Sequence, residues 1–153
     1  MAEEIDTNPI SCMPNKLGLT SATDLAREEE RISKKKAKEL FEQNLLGELE
    51  PGKFATLRFI HRTLFGDIYD FASQKRTVNL AKGSFRFAPV AYLDAALENI
   101  DRMPQSTFDE IIEKYVEMNI AHPFQEGNGR SMRIWLDHIL KNRLGRAEVG
   151  ISR

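Results

Sequence analysis

Among 153 residues there is a single cysteine, Cys12. No intrachain disulfide can form, and a structural zinc site of cysteines is excluded. An excess of one charge is also lacking: 22 Lys and Arg face 23 Asp and Glu, a formal net charge of −1. Dedicated nucleic-acid binders usually carry a basic surplus, so no direct nucleic-acid partner is expected. No apolar run approaches the roughly eighteen residues that would cross a bilayer, so no membrane partner is expected either. The opening stretch "MAEEIDTNPISCMPNK" is acidic and polar, without the apolar core of a signal peptide. Together these absences fit a cytoplasmic protein in a reducing compartment. What is present is ordinary: 41% hydrophobic and 29% charged residues. The length suits one domain that buries roughly two thirds of its unfolded surface.

Apolar spacing organises the chain as helices. Residues 1–20 carry prolines, asparagines and few regularly spaced apolar side chains, which reads as a flexible or extended N-terminal arm. Residues 21–153 read as a single domain. A long charged helix is expected from Thr23 or Asp24 through "DLAREEERISKKKAKELFEQNLL", with Leu25, Ile32, Ala37, Leu40, Phe41 and Leu45 as its thin stripe. Lys34 to Lys36 read as a solvated face, because Glu28 to Glu30 precede them and the sum is nearly neutral. After Pro51-Gly52, the spacing of Phe54, Leu57, Ile60, Leu64 and Ile68 predicts a helix ending near Ala72.

Residues 73–89 alternate apolar and polar side chains, with Val78 and Leu80 before Gly83 and Phe85 and Phe87 after it. That pattern predicts a β-hairpin with Ala81-Lys82-Gly83 as its turn. Pro89 then opens a helix to about Met103, with Tyr92, Leu93, Ala96, Leu97 and Ile100 on one face. Thr107 and Glu110 form a capping box before the stripe Phe108, Ile111, Ile112, Tyr115, Val116, Asn119 and Ile120. Pro123 stops that helix near His122. The pattern resumes with Met132, Trp135, Leu136, Ile139 and Leu140 and closes at Gly145. His61 and His138 read as structural or surface residues and Trp135 as core. The fold class is therefore mainly α, a helical bundle with one hairpin.

The junction "AHPFQEGNGRSMR" concentrates chemistry between two helices. Gly127-Asn128-Gly129 directly precedes a helix start, where backbone amides lack partners and carry partial positive charge. Glycines allow close approach to that backbone, a favourable setting for phosphate. Arg130 and Arg133 lie three apart, so both guanidinium groups share a face and can converge on an anion. Glu126 beside a phosphate site calls for a cation between them, and hard oxygens suit Mg²⁺. His122 can accept a proton near neutral pH. Phe124 gives the loop an apolar anchor. No Gly-Lys-Ser/Thr follows, so this is not a Walker loop; no strand precedes it and Met132 replaces a third glycine, so it is not a dinucleotide fingerprint.

"HPFQEGNGRSMR" resembles the signature of Fic domains, H-x-F-x-(D/E)-G-N-G-R-x-x-R, with each fixed position filled by His122, Phe124, Glu126, Gly127, Asn128, Gly129, Arg130 and Arg133. The stretch from "LFGDIYDFA" to "KGSFRFAP" is similar to the family's approach to its flap. The resemblance covers roughly residues 50 to 143. It implies a Fic-fold helical bundle with a signature at 122–133 and a β-hairpin flap at about 74–87, in a small single-domain bacterial protein. It also implies transfer of AMP from ATP to a Ser, Thr or Tyr hydroxyl of another protein, with release of pyrophosphate.

On that resemblance His122 is the catalytic base and Glu126 holds Mg²⁺. Gly127, Asn128, Gly129, Arg130 and Arg133 bind nucleotide phosphates. Gln74, Lys75, Arg76, Thr77, Val78, Lys82, Gly83 and Phe85 form a flap that clamps an extended target segment by strand addition. Some small bacterial relatives modify type II topoisomerase subunits and act as growth-arresting toxins, which makes those subunits candidate partners by analogy alone. A homo-oligomer is compatible with the sequence.

Two departures from the family pattern stand out. Relatives often have Ala-Gly before the flap, and this chain has Ala72-Ser73. Many also carry an inhibitory Ser/Thr-x-x-x-Glu-Gly/Asn helix. The nearest match here is Ser106 to Glu110, followed by Ile111, and the capping box already uses it. The expectation is a form active without release. Transfer of UMP, phosphocholine or phosphate is the alternative within enzymes. The alternative outside them is a silent nucleotide-binding or toxin-like module that needs a partner.

Overall fold

The computed structural model describes residues 4–5 and 12–145. Its elements are β1 (Glu4–Ile5), α1 (Ala22–Glu42), α2 (Phe54–Phe65), β2 (Asn79–Lys82), β3 (Phe85–Arg86), α3 (Val90–Arg102), α4 (Phe108–Ala121) and α5 (Asn128–Leu144). The mainly helical class with a hairpin is as expected.

Helix α5 is the centre of the bundle. Ile134 to Leu140 are buried without interruption, and Trp135 is fully enclosed. A helix covered on nearly every side needs neighbours all round, and α5 packs against α4 and α2 while α1 lies on α2 and α3 on α4. The Trp135 indole N–H donates to the Lys53 carbonyl at 3.0 Å, which fastens α5 to the start of α2.

Several boundaries differ from expectation. Helix α1 starts at Ala22 because Ser21 caps it, its hydroxyl accepting from the Asp24 amide at 3.3 Å. It ends at Glu42, and Leu45 is partly exposed. The buried face of α1 is Leu25, Glu29, Ser33 and Leu40, so two polar residues occupy positions that an apolar stripe would skip. Helix α2 stops at Phe65 rather than near Ala72, and turns follow to Ser73. Residues 12–20, expected as part of an arm, are tied down. Lys16 donates its amide to the Ile68 carbonyl at 2.7 Å, and Cys12, Met13, Leu17 and Leu19 pack on the core. The rest of the expected arm, apart from β1, lies outside the described residues.

The hairpin turn is displaced from Ala81-Lys82-Gly83. Strand β2 runs through Lys82, and Gly83, at φ +61, and Ser84 make the turn. Strands β2 and β3 pair antiparallel, with Ala81 opposite Arg86 and Lys82 opposite Phe85. The other edge of β2 pairs in parallel with β1, Glu4 against Asn79 and Ile5 against Leu80. The capping box on α4 forms as expected: the Thr107 hydroxyl accepts from the Glu110 amide at 3.2 Å while the Thr107 amide donates to the Glu110 carboxylate at 3.1 Å. On α4, however, Val116 and Ile120 do not enter the core, and on α3 Tyr92 is exposed.

Candidate functional site

Helix α4 is capped at its C-terminus by His122, whose backbone is left-handed at φ 49. That conformation turns the chain back immediately, and Pro123 then forbids further helix. The loop from Pro123 to Gly127 is closed by the Asn128 side chain. Its Oδ1 accepts from the Phe124 amide at 2.9 Å and its Nδ2 donates to the Phe124 carbonyl at 2.6 Å. Asn128, expected among the phosphate ligands, thus holds the loop with its side chain while its backbone amide stands at the start of α5 on the cleft. Phe124 is fully buried, stacked on His61 at 3.9 Å between ring centres.

His61 is the residue the sequence undervalued. Its Nδ1 accepts from the Ser73 amide at 2.9 Å, so its Nε2 carries the proton and donates to the Glu126 carbonyl at 2.7 Å. Burial lowers its pKa to about 4, against the pull of that Glu126 carbonyl. One neutral imidazole therefore joins the turn before the flap to the signature loop. Ser73 itself takes a left-handed φ of 68, a conformation natural to glycine.

Arg76 is equally hidden from one-dimensional reading. It was expected on the target-docking flap, yet it is 4% exposed and points inward. Its guanidinium donates to the carbonyls of His122 at 2.6 Å, Ala121 at 2.9 Å and Val78 at 2.9 Å, and also to that of Ala88. Two of these are the last carbonyls of α4, where a cation is favoured. The other expected flap residues are placed variously. Gln74, Lys75 and Thr77 are exposed in irregular backbone before β2, Val78 is half-buried, and Lys82, Gly83 and Phe85 are exposed at the tip. Lys75 pairs with Asp94 at 2.6 Å.

A cleft of about 840 Å³ lies between the flap and the start of α5. His122, Glu126, Gly127, Asn128, Gly129, Arg130 and Arg133 all border it, together with Lys82, Phe85 and Phe87 from the hairpin. Val116 and Ile120, expected in the core, are part of its wall. The His122 ring stacks on Phe87 at 3.7 Å between centres. Burial, and then the nearby Arg76 and Lys82 cations, lower its pKa to about 4, with the Asn119 backbone pulling the other way. At neutral pH this imidazole is uncharged and able to accept a proton.

The Glu126 carboxyl is pushed up by burial, while the Gly127 amide donates to it at 3.0 Å and opposes the shift. A carboxylate desolvated in this way gains from a cation in the cleft. At the start of α5 the first amides have no carbonyl partner until Ser131 donates to Gly127 at 3.2 Å. Gly127 is the left-handed N-cap, at φ 79. Arg130 lies over the Phe65 ring at 5.2 Å, and Arg133, exposed one turn on, makes no hydrogen bond or ion pair among the described residues. Proton acceptor, cation-seeking carboxylate, free amides and two guanidinium groups thus open onto one cavity.

No helix among the described residues is long and apolar enough to cross a membrane. No cluster of three or more His, Cys, Asp or Glu able to hold a metal alone occurs among them either. Comparison with known proteins agrees with the geometry. The chain is 29% identical over 141 residues to the probable protein adenylyltransferase Fic of Salmonella typhimurium, covering 85% of this chain and 68% of that protein. It is 29% identical over 136 residues to the protein adenylyltransferase VbhT of Bartonella schoenbuchensis, spanning 80% of this chain but only 28% of that longer protein. The fold matches the N-terminal FIC domain of Bep8 from Bartonella sp. 1-1C with a TM-score of 0.73 at 19% identity, over 93% of this chain and 76% of that one. The family model of the Fic/DOC family matches residues 52–140, and with seven of the eight fixed signature positions lining one cleft and Phe124 buried beneath their loop, the chain belongs to the Fic/DOC family.

Proposed function

We propose that this protein is an adenylyltransferase that moves AMP from ATP to a hydroxyl of another protein. The observation that carries the reading is the meeting of an uncharged His122 with the amide-rich start of α5 and both signature arginines on one cleft. In this reaction the acceptor oxygen attacks the α-phosphorus. The bond from that phosphorus to the bridging β-oxygen breaks, and pyrophosphate leaves. The acceptor proton passes to the His122 imidazole, as general-base catalysis requires. The amides of Asn128 and Gly129 stabilise charge on the phosphoryl oxygens, each such contact contributing about a hundredfold in rate, while that of Gly127 holds the Glu126 carboxylate. Arg130 binds the departing phosphates and Arg133 the γ-phosphate.

Magnesium fits the residues present. Mg²⁺ takes one or two carboxylates and completes its shell with water and substrate phosphates. Glu126 supplies one desolvated carboxylate facing the cleft, without a protein cage around it. When bound, the ion would neutralise charge on the α- and β-phosphates.

The relatives' names support adenylyl transfer, and fold neighbours from Bartonella tribocorum and Bartonella quintana carry AMPPNP and ADP. An extended target segment would lie along the flap by backbone pairing. The edge of β2 that already accepts Glu4–Ile5 supports such pairing. Phe85, 51% exposed at the tip, offers the segment an apolar contact.

The test is label transfer to proteins of a bacterial extract, using α-labelled and γ-labelled ATP with Mg²⁺ and comparing wild type with His122→Ala. Labelled bands from the α position only, reduced at least a hundredfold in the variant, are the expected result. Label from the γ position would replace adenylyl with phosphoryl transfer.

A further inference from the structure

Glu28, Glu29 and Glu30 look alike in sequence, but α1 separates them. Glu28 pairs with Arg31 and Glu30 with Lys34 in solvent. Glu29, 7% exposed, faces inward one turn after Leu25 and one turn before Ser33. One carboxylate oxygen accepts from the Tyr69 hydroxyl and the other from Arg130 Nη2. Ser33 accepts from Arg130 Nη1 at 2.8 Å. With the Phe65 ring at 5.2 Å on its face, the Arg130 guanidinium is fixed from three sides by residues roughly a hundred positions upstream or nearer.

A buried carboxylate is costly to desolvate and persists where a cation and hydrogen bonds compensate it. Here the cation is one of the two signature arginines, and its side chain is still 43% exposed toward solvent. A guanidinium has five N–H donors in a rigid fork. Ser33 and Glu29 engage two of its nitrogens from the α1 side, and the remaining donors are left for the cleft. Tyr69 reinforces the arrangement. Burial first, and then the Glu29 carboxylate, push its hydroxyl pKa well above the ordinary range, so it remains a proton donor to Glu29.

We propose that Glu29 is a positioning residue: with Ser33 beside it and Tyr69 behind it, it sets the Arg130 guanidinium in the orientation that meets a nucleotide phosphate. This rests on the proposed function only in taking the ligand to be ATP. It makes α1, which lies outside the signature altogether, a functional part of the cleft.

The experiment measures the ATP dissociation constant, KM for ATP and kcat for Glu29→Ala and Glu29→Gln, each also combined with Arg130→Ala, with melting curves as a fold control. In the otherwise native protein, Glu29→Ala should weaken ATP binding and raise KM at least tenfold while kcat changes much less. Glu29→Gln, whose amide oxygen can still accept from the guanidinium, should recover most of the loss. Beside Arg130→Ala, Glu29→Ala should no longer weaken binding. If Glu29→Ala does not fold, Ser33→Ala combined with Tyr69→Phe takes its place with the same expectations. Equal weakening in both backgrounds would reduce Glu29 to a scaffold residue, and tighter ATP binding would make it a competitor of phosphate; either result overturns the proposal. Wild type that binds ATP but transfers no AMP would sink the adenylyl-transfer reading alone, since the binding cycle needs no acceptor. Wild type that binds no ATP would overturn both.

Discussion

The two glycines of the signature are needed for opposite reasons. Gly127 is required by the protein. Its φ is +79, and a Cβ there would lie 2.4 Å from the Phe65 ring. Gly127→Ala combines left-handed strain with overpacking, for a loss of about 2–4 kcal/mol. Gly129 meets no such obstacle: beyond its chain neighbours and its own helix backbone, a Cβ would have nothing within 4 Å, although the residue borders the cleft. Inside a helix, alanine is the better former by up to about 1 kcal/mol. Gly129→Ala should therefore melt at or above the wild-type temperature and still bind ATP at least tenfold more weakly, because its methyl group occupies the approach to the amides. Calorimetric melting and ATP titration of the two variants separate the cases. Undiminished ATP affinity in Gly129→Ala would mean that the ligand does not approach this backbone.

At the scale of elements, the site depends on the end of α4 being held against the base of the flap, and Arg76 is the clasp. A planar fork reaches four carbonyls on three stretches of chain. Lysine is a point donor on a flexible stem and cannot span them. Arg76→Lys should lose about 2–4 kcal/mol of stability through buried carbonyls left unpaired. It should also lower kcat for label transfer at least tenfold, because the His122 carbonyl is one of those released. Urea unfolding and initial-rate measurements check the two effects; a variant equal to wild type in both would remove Arg76 from the site's support.

The elements themselves were largely legible. The 3.6-residue period, the Thr107 capping box, Pro89 and Pro123 mark four of the five helices to within a few residues, and the signature loop is local enough to be read whole. What could not be read is what each face meets. Val116 and Ile120 continue an apolar stripe, but periodicity does not distinguish a core from a cleft wall. Glu29 is one of three adjacent glutamates, Arg76 one of several flap cations, and His61 a lone histidine on α2. Each acquires its role only through partners distant in the chain, such as Arg130, the end of α4 and the Glu126 carbonyl. The turn after α2 was missed because Ile68 and Tyr69 stay buried after the helix has ended, so the apolar pattern outlasts the backbone that usually produces it.

Over the whole molecule, folding and the site share a sensitivity to acid. His61 is fully buried in its neutral form, with a pKa lowered to about 4. Both ring nitrogens are engaged, one as acceptor from Ser73 and one as donor to Glu126. Protonation would set an N–H against the Ser73 N–H. Because the folded-state pKa lies below the unfolded one, the unfolded chain takes up the proton first as pH falls. The contribution of His61 is complete above about pH 6.5, drains away between there and about 4, and amounts to about 3 kcal/mol. His122, lowered to about 4 by burial and by neighbouring cations, adds to the trend in the same direction. Carboxylates titrating in the same range also contribute to acid unfolding, so the decisive measurement is a difference. His61→Gln replaces the imidazole with a side chain that does not titrate. It should be less stable than wild type at pH 7, but its unfolding free energy should fall less steeply between pH 6.5 and 4. Parallel pH profiles for the two proteins, followed by urea unfolding, would show that the link between the flap turn and the signature loop is not what acid breaks.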